Sequence, residues 1–119
     1  MKTILVIEDN EQNLYLVTFI LEKNGYKVIS ARDGREGIDL ACEVIPALIL
    51  LDIQLPVMDG YAVARELRKN PALDNVPIVA VTSYAKTGDR EKALAAGCTG
   101  HIEKPINPET FIKDIEQYL

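Results

Sequence analysis

The 119-residue sequence predicts one α/β domain over residues 1–119, a parallel sheet doubly wound by helices into a three-layer sandwich. Two observations predict it. Short apolar runs such as Leu48-Ile49-Leu50-Leu51 have no polar alternation, as expected of strands covered on both faces. Such runs alternate with amphipathic stretches from end to end, which requires parallel strands joined by right-handed crossovers. No linker, internal repeat or low-complexity tract interrupts the alternation.

Each element has its own local reason. Thr3 to Ile7 is an apolar run ending in Glu8 and Asp9, and reads as strand one. Helix one follows, with Leu14, Val17, Phe19, Ile20 and Leu21 as its apolar stripe and Gly25 after Asn24 as its stop. Tyr26 to Ala31 is strand two. Asp33 is placed to cap helix two, from about Gly34 to Glu43, with Ile38, Leu40 and Ala41 facing inward. Pro46 precedes strand three, Leu48 to Leu51, which delivers Asp52 to its carboxyl end. Asp59-Gly60 opens helix three, which runs to about Asn70 with Val63 and Leu67 at an i,i+4 spacing. Pro77 introduces strand four, Ile78 to Val81, ending at Thr82-Ser83. Asp89 is placed to cap helix four, which carries Leu94 and closes at Gly97. Gly100 to Glu103 is strand five, followed by Lys104-Pro105. Asn107-Pro108-Glu109 marks a helix start with Asn as cap and Pro at the first position. Phe111, Ile112, Ile115 and Leu119 form the buried stripe of helix five.

Composition narrows the function. A net charge of -5 without a Lys/Arg cluster argues against direct nucleic-acid binding. The apolar stretch Ile4 to Ile7 is too short for a signal peptide or membrane span, so no membrane insertion and a cytoplasmic location are expected. Cys42 and Cys98 lie far apart and no His or Cys pattern suggests zinc; reduced, packed thiols are expected.

In the flavodoxin-like strand order 2-1-3-4-5, the switch point lies between strands one and three, where open α/β sheets hold ligands. Glu8, Asp9 and Asp52 converge there at strand ends. Three neighbouring carboxylates repel one another and need compensation. Mg²⁺, a hard cation that takes oxygen ligands and joins readily to phosphoryl oxygens, provides it together with Lys104 at the end of strand five. Thr82, ending strand four, offers a hydroxyl to the same pocket.

Glu8-Asp9-Asn10, Asp52 with Leu55-Pro56 and Met58-Asp59-Gly60, Thr82 and Lys104-Pro105 together resemble the receiver (CheY-like) domain of two-component response regulators. The resemblance spans the whole chain. It implies that Asp52 is the phosphoryl acceptor, that Asp9 binds Mg²⁺ directly and Glu8 less directly, and that the Gln54 carbonyl is a further ligand. It also implies that Lys104 pairs with phosphoryl oxygens, that Thr82 swings in to hydrogen-bond them, and that the bond before Pro105 is cis. Signalling would move to the face made by helix four, strand five and helix five. The implied donor is a sensor histidine kinase or a histidine phosphotransfer protein; the implied output is contact with a downstream protein. A monomer or a phosphorylation-favoured dimer is expected, and no enzyme activity beyond self-phosphorylation and slow self-dephosphorylation. Asn13, Asp52-Ile-Gln-Leu-Pro and Ala85 with Gly88-Asp89 are similar to a narrower subset, receivers of hybrid kinases and single-domain DivK-type regulators. The chain ends with helix five, so no output domain is expected if it is complete.

Three positions depart from the common pattern or tune it. His101 stands where many receivers have a rotating Tyr or Phe; it is expected either to alternate between inward and outward positions, making partner binding pH-sensitive, or to be a plain edge-strand residue. Tyr84 and Gln54 flank the path of hydrolytic water, and Tyr84 is expected to shield the phosphoryl group. The competing reading is a phosphorylation-independent pseudo-receiver; an FMN-binding flavodoxin conflicts with Glu8-Asp9, and an aspartyl-phosphate hydrolase needs an acid where Gln54 stands.

Overall fold

In the computed structural model, which describes residues 1–83 and 89–119, the central strand is β3 (Leu48–Asp52), buried at all five positions. An uninterrupted aliphatic run suits such a strand because helices cover both of its faces. β1 (Thr3–Ile7) lies on one side of it and β4 (Ile78–Thr82) on the other, with β2 (Lys27–Ala31) and β5 (Gly100–Glu103) at the edges. The sheet is parallel throughout, in the order β2-β1-β3-β4-β5. Ile7 pairs with Leu51 and Asp52 with Val81, so the carboxyl ends of the central strands finish level.

The helices are α1 (Glu11–Lys23), α2 (Gly34–Val44), α3 (Gly60–Arg68), α4 (Asp89–Ala96) and α5 (Phe111–Glu116). Alternate strand residues feed two separate cores. Leu5, Ile7, Ile49 and Leu51 pack with Ile38, Val63 and Leu67, together with Ala93 and Ala96 of α4. Ile4, Val6, Leu48 and Leu50 pack on the opposite face with Val17, Ile20 and Leu21 of α1 and with Phe111 and Ile115 of α5. Each fully buried Leu, Ile or Phe contributes roughly 1.5–3 kcal/mol.

Most element ends follow their sequence signals. Asp33 Oδ1 accepts from the Glu36 N–H at 2.8 Å and caps α2, while Asp59 Oδ1 accepts from the Ala62 N–H at 2.9 Å and caps α3. Gly25, with φ +89°, follows the end of α1. The differences are local. Strand two begins at Lys27 rather than Tyr26, and α3 ends at Arg68, after which Pro71–Leu73 forms a single 3-10 turn. Phe19 is 54% exposed and does not belong to the buried stripe of α1. Successive helical residues turn by about 100°, so the arc set by Val17, Ile20 and Leu21 leaves Phe19 outward, where the Lys23 ammonium lies 5.9 Å from its ring. Leu94 is also turned out, 48% exposed, and α4 packs through Ala93 and Ala96 instead. The helix observed at α4 begins at Asp89, and the residue before it lies outside the described set. Asn107 Oδ1 does accept from the Glu109 N–H at 3.0 Å, but residues 108–110 form turns and regular α5 begins at Phe111. Both cysteines are free; Cys98 is packed as expected, whereas Cys42 is exposed. Among the described residues, no helix is long and apolar enough to cross a membrane.

Candidate functional site at the carboxyl edge of the sheet

Adjacent parallel strands bring the acids together. Glu8 and Asp9 directly follow β1, and Asp52 is the last residue of β3, so their carboxylates meet above the β1–β3 seam. Oxygens of Glu8, Asp9 and Asp52 all lie within 4.8 Å of one another. Glu8 and Asp52 are buried, whereas Asp9 is exposed at the rim. Lys104, immediately after β5, reaches over this seam: its Nζ is 3.2 Å from Asp52 Oδ2 and 3.5 Å from Glu8 Oε1. The Lys104 N–H bonds the Thr82 carbonyl at 2.8 Å, and the Lys104–Pro105 peptide is cis. Thr82 itself is buried at the last position of β4.

Backbone donors complete the arrangement. Asp52 Oδ1 accepts from the Gln54 N–H at 2.9 Å, and Glu8 Oε2 accepts from the Asn10 N–H at 3.3 Å. Asn10 also caps α1, its Oδ1 accepting from the Asn13 N–H at 3.0 Å, so the loop after β1 is fixed from both ends. The resemblance implies a carbonyl role for Gln54 and none for Asn10; an amide donor carries no side-chain signature, so neither contact shows in the sequence. Gly60 is a further positioning residue. A Cβ there would stand 2.5 Å from Ile53 Cα and 2.7 Å from the Asp52 carbonyl oxygen, so only glycine lets α3 start against the end of β3.

Burial, aided by the hydrogen bond and charge of Asp52, pushes the Glu8 carboxyl up to about 7, with Lys104 pulling the other way. Three gathered carboxylates beside one ammonium are a donor set that fits a small divalent cation. Mg²⁺ takes oxygen ligands of this kind, and Glu8, Asp9 and Asp52 would hold it through the carboxylate oxygens gathered here.

The response regulator receiver domain model matches residues 4–116. This chain belongs to the receiver-domain family of two-component response regulators. The receiver is 42% identical, over 99% of its length and 96% of the relative's, to the polar-differentiation response regulator DivK of Brucella anthropi. It superposes on the chemotaxis protein CheY4 of Vibrio cholerae with a TM-score of 0.96 at 30% identity, covering 100% of this chain and 99% of that one. The receiver domain of a Pseudomonas aeruginosa sensor histidine kinase, solved with a magnesium ion coordinated in its active site cleft, gives a TM-score of 0.91 at 34% identity, with 98% and 96% of the chains covered.

Away from the acids, His101 of the receiver is half-buried on β5 and lines two recesses. One recess faces α4 with Arg90 and Leu94, and the other faces α5 with Asp114 and Gln117. Tyr84 lies outside the described residues.

Proposed function

We propose that Asp52 accepts a phosphoryl group from a phosphohistidine of a sensor kinase or phosphotransfer protein, and that the receiver signals by protein–protein contact. The observation that carries this reading is the position of the Lys104 ammonium, 3.2 Å from Asp52 Oδ2, beside acids whose oxygens lie within 4.8 Å. In the step proposed, an Asp52 carboxylate oxygen attacks phosphorus and the P–N bond breaks. Its electron pair stays on the imidazole nitrogen, which takes up a proton. The Gln54 N–H on Oδ1 and the Lys104 ammonium on Oδ2 hold the carboxylate in one orientation, so attack begins from a fixed geometry. Glu8, Asp9, Asp52 and the Gln54 carbonyl would hold Mg²⁺, which when bound supplies positive charge to the phosphoryl oxygens. Lys104 supplies the remaining positive charge, and the Thr82 hydroxyl is assigned as the donor that responds to the new group.

Phosphorylation adds about 1.5 to 2 negative charges and three acceptor oxygens at the junction of β3, β4 and β5. Thr82 and Lys104 sit on β4 and directly after β5, so α4, β5 and α5 are the elements assigned to the readout, with His101 between the two recesses. This is a two-state equilibrium biased by local charge rather than a catalytic cycle. The receiver is read as one unit over residues 1–119, acting in the cytoplasm. Incubation with acetyl phosphate followed by intact-mass measurement tests the proposal. Wild type with Mg²⁺ is expected to gain the mass of one phosphoryl group; wild type in chelator and Asp52→Asn with Mg²⁺ are expected to gain none. Labelling of Asp52→Asn equal to wild type would overturn it.

A further inference from the structure

β5 is an edge of the sheet, so His101 has a strand neighbour on one flank only. Its half-buried side chain lines two recesses, of about 290 and about 220 Å³. Their walls differ in charge. The larger holds Glu103 and Asp114 and, among the described residues, no Lys or Arg. The smaller holds Arg90 and no carboxylate, with Leu94 of α4 and Tyr118 beside it. Glu103 is two residues along the strand from His101, so both side chains leave the same face of the sheet. Tyr118 lies against the strand because the adjacent Gly100 has no side chain; a Cβ there would collide with the Tyr118 hydroxyl. From β4, Ala80 pairs with His101, and no residue of that strand carries an acid or a base. Among the described residues, the ionisable groups that share a recess with the imidazole are Arg90, Glu103, Asp114 and Tyr118.

We propose that His101 is a proton-operated, two-position switch: as imidazolium it occupies the recess of Glu103 and Asp114, and as neutral imidazole the recess of Arg90 and Tyr118. The inference rests on the readout reading above only for what the switch controls. An imidazolium has two N–H donors and no acceptor. It therefore suits the carboxylates of one recess and is repelled by the guanidinium of the other. A neutral imidazole has one acceptor nitrogen, which the Arg90 N–H groups or the Tyr118 O–H satisfy, beside apolar Leu94. Histidine is the side chain whose charge ordinarily changes between about pH 5 and 8. The exchange is a rotation about χ1, between wells that are both common on strands, and needs no backbone movement. Each position fills one recess and leaves the other open to a partner. Acid thus opens the recess beside α4, and base opens the recess beside α5.

Nuclear magnetic resonance of the untagged full chain tests this, because His101 is its only histidine and the ring protons are assigned without ambiguity. Nuclear Overhauser contacts from the ring to the Thr110 methyl report one recess, and contacts to the Leu94 methyls report the other. On going from pH 8.5 to pH 5, the ratio of Thr110 to Leu94 contacts is expected to rise about tenfold or more, the equivalent of about 1.4 kcal/mol. The midpoint is expected to coincide with the titration of the ring's own chemical shifts. Glu8 titrates in the same range, so the series is repeated on Glu8→Gln, where the same rise is expected. In the triple variant Arg90→Gln, Glu103→Gln, Asp114→Asn the ratio is expected to stay nearly constant while the ring still titrates. A constant ratio in wild type would overturn the inference, as would a rise lost in Glu8→Gln or kept in full by the triple variant. Failure of Asp52 to accept a phosphoryl group would leave these contacts unchanged, so the two readings fail separately.

Discussion

Glu8 is the residue whose energetics depend most on its surroundings. Its carboxyl is held at about 7 against an ordinary 4.5, by burial first and by Asp52 second. The folded, metal-free protein therefore binds a proton that the unfolded chain has already released above about pH 4.5. The stability linked to that proton is fully present below pH 4.5 and is lost as pH rises through 7. Glu8→Gln, which mimics the neutral form, is expected to raise the metal-free melting temperature at pH 8, with a gain on the order of 1–3 kcal/mol, and to leave it almost unchanged at pH 4.5. Circular-dichroism melts in chelator measure this, and an equal gain at both pH values would contradict it. The convergence of Glu8, Asp9, Asp52 and Lys104 was legible from sequence because each is a charged residue directly at a strand end, and parallel topology aligns strand ends. The supporting amides of Asn10 and Gln54 were not, since every residue but proline has that donor and only geometry shows where it points.

At the scale of elements, the start of α3 is where fold and site meet. Gly60 packs against Ile53 and the Asp52 carbonyl too closely for a side chain. Gly60→Ala is expected to destabilise by about 1–3 kcal/mol through overpacking and to slow acetyl-phosphate labelling, because the displaced backbone carries Asp52. Asp33→Ala is expected to cost about 1 kcal/mol, the value of a helix cap, while leaving the labelling rate unchanged. Urea titrations of both variants, paired with labelling rates, separate a packing defect from a site defect. β1, β3 and β4 could be read closely because unbroken aliphatic runs have few other uses. The outward turn of Phe19 and Leu94 was not legible, since apolar type alone does not say which residues a short helix buries. The 3-10 turn at Pro71–Leu73 was also missed although its signal is local: Asn70 Oδ1 accepts from the Ala72 N–H at 3.0 Å with Pro71 at the first position, and the Arg68 guanidinium bonds the Leu73 carbonyl at 2.6 Å.

For the whole molecule, one sheet separates two cores, and the chemistry lies at the edge where both end. Cys98 lies within one of these cores; burial pushes its thiol up to about 11, whereas Cys42 is exposed. A thiol reagent at pH 8 is expected to modify Cys42 alone in the native protein and both cysteines in guanidinium, and rapid native labelling of Cys98 would mean that the core opens readily. The absence of Trp from the sequence rules out its fluorescence as a report of metal binding, which favours mass spectrometry as the readout of the site. The most direct test of the account is to map the modified residue after acetyl phosphate and Mg²⁺. Borohydride reduction converts an aspartyl phosphate to homoserine, which peptide mass spectrometry then locates. Homoserine at position 52 and nowhere else is the expected result; homoserine at Asp9 or Asp59, or at no position, would contradict the account.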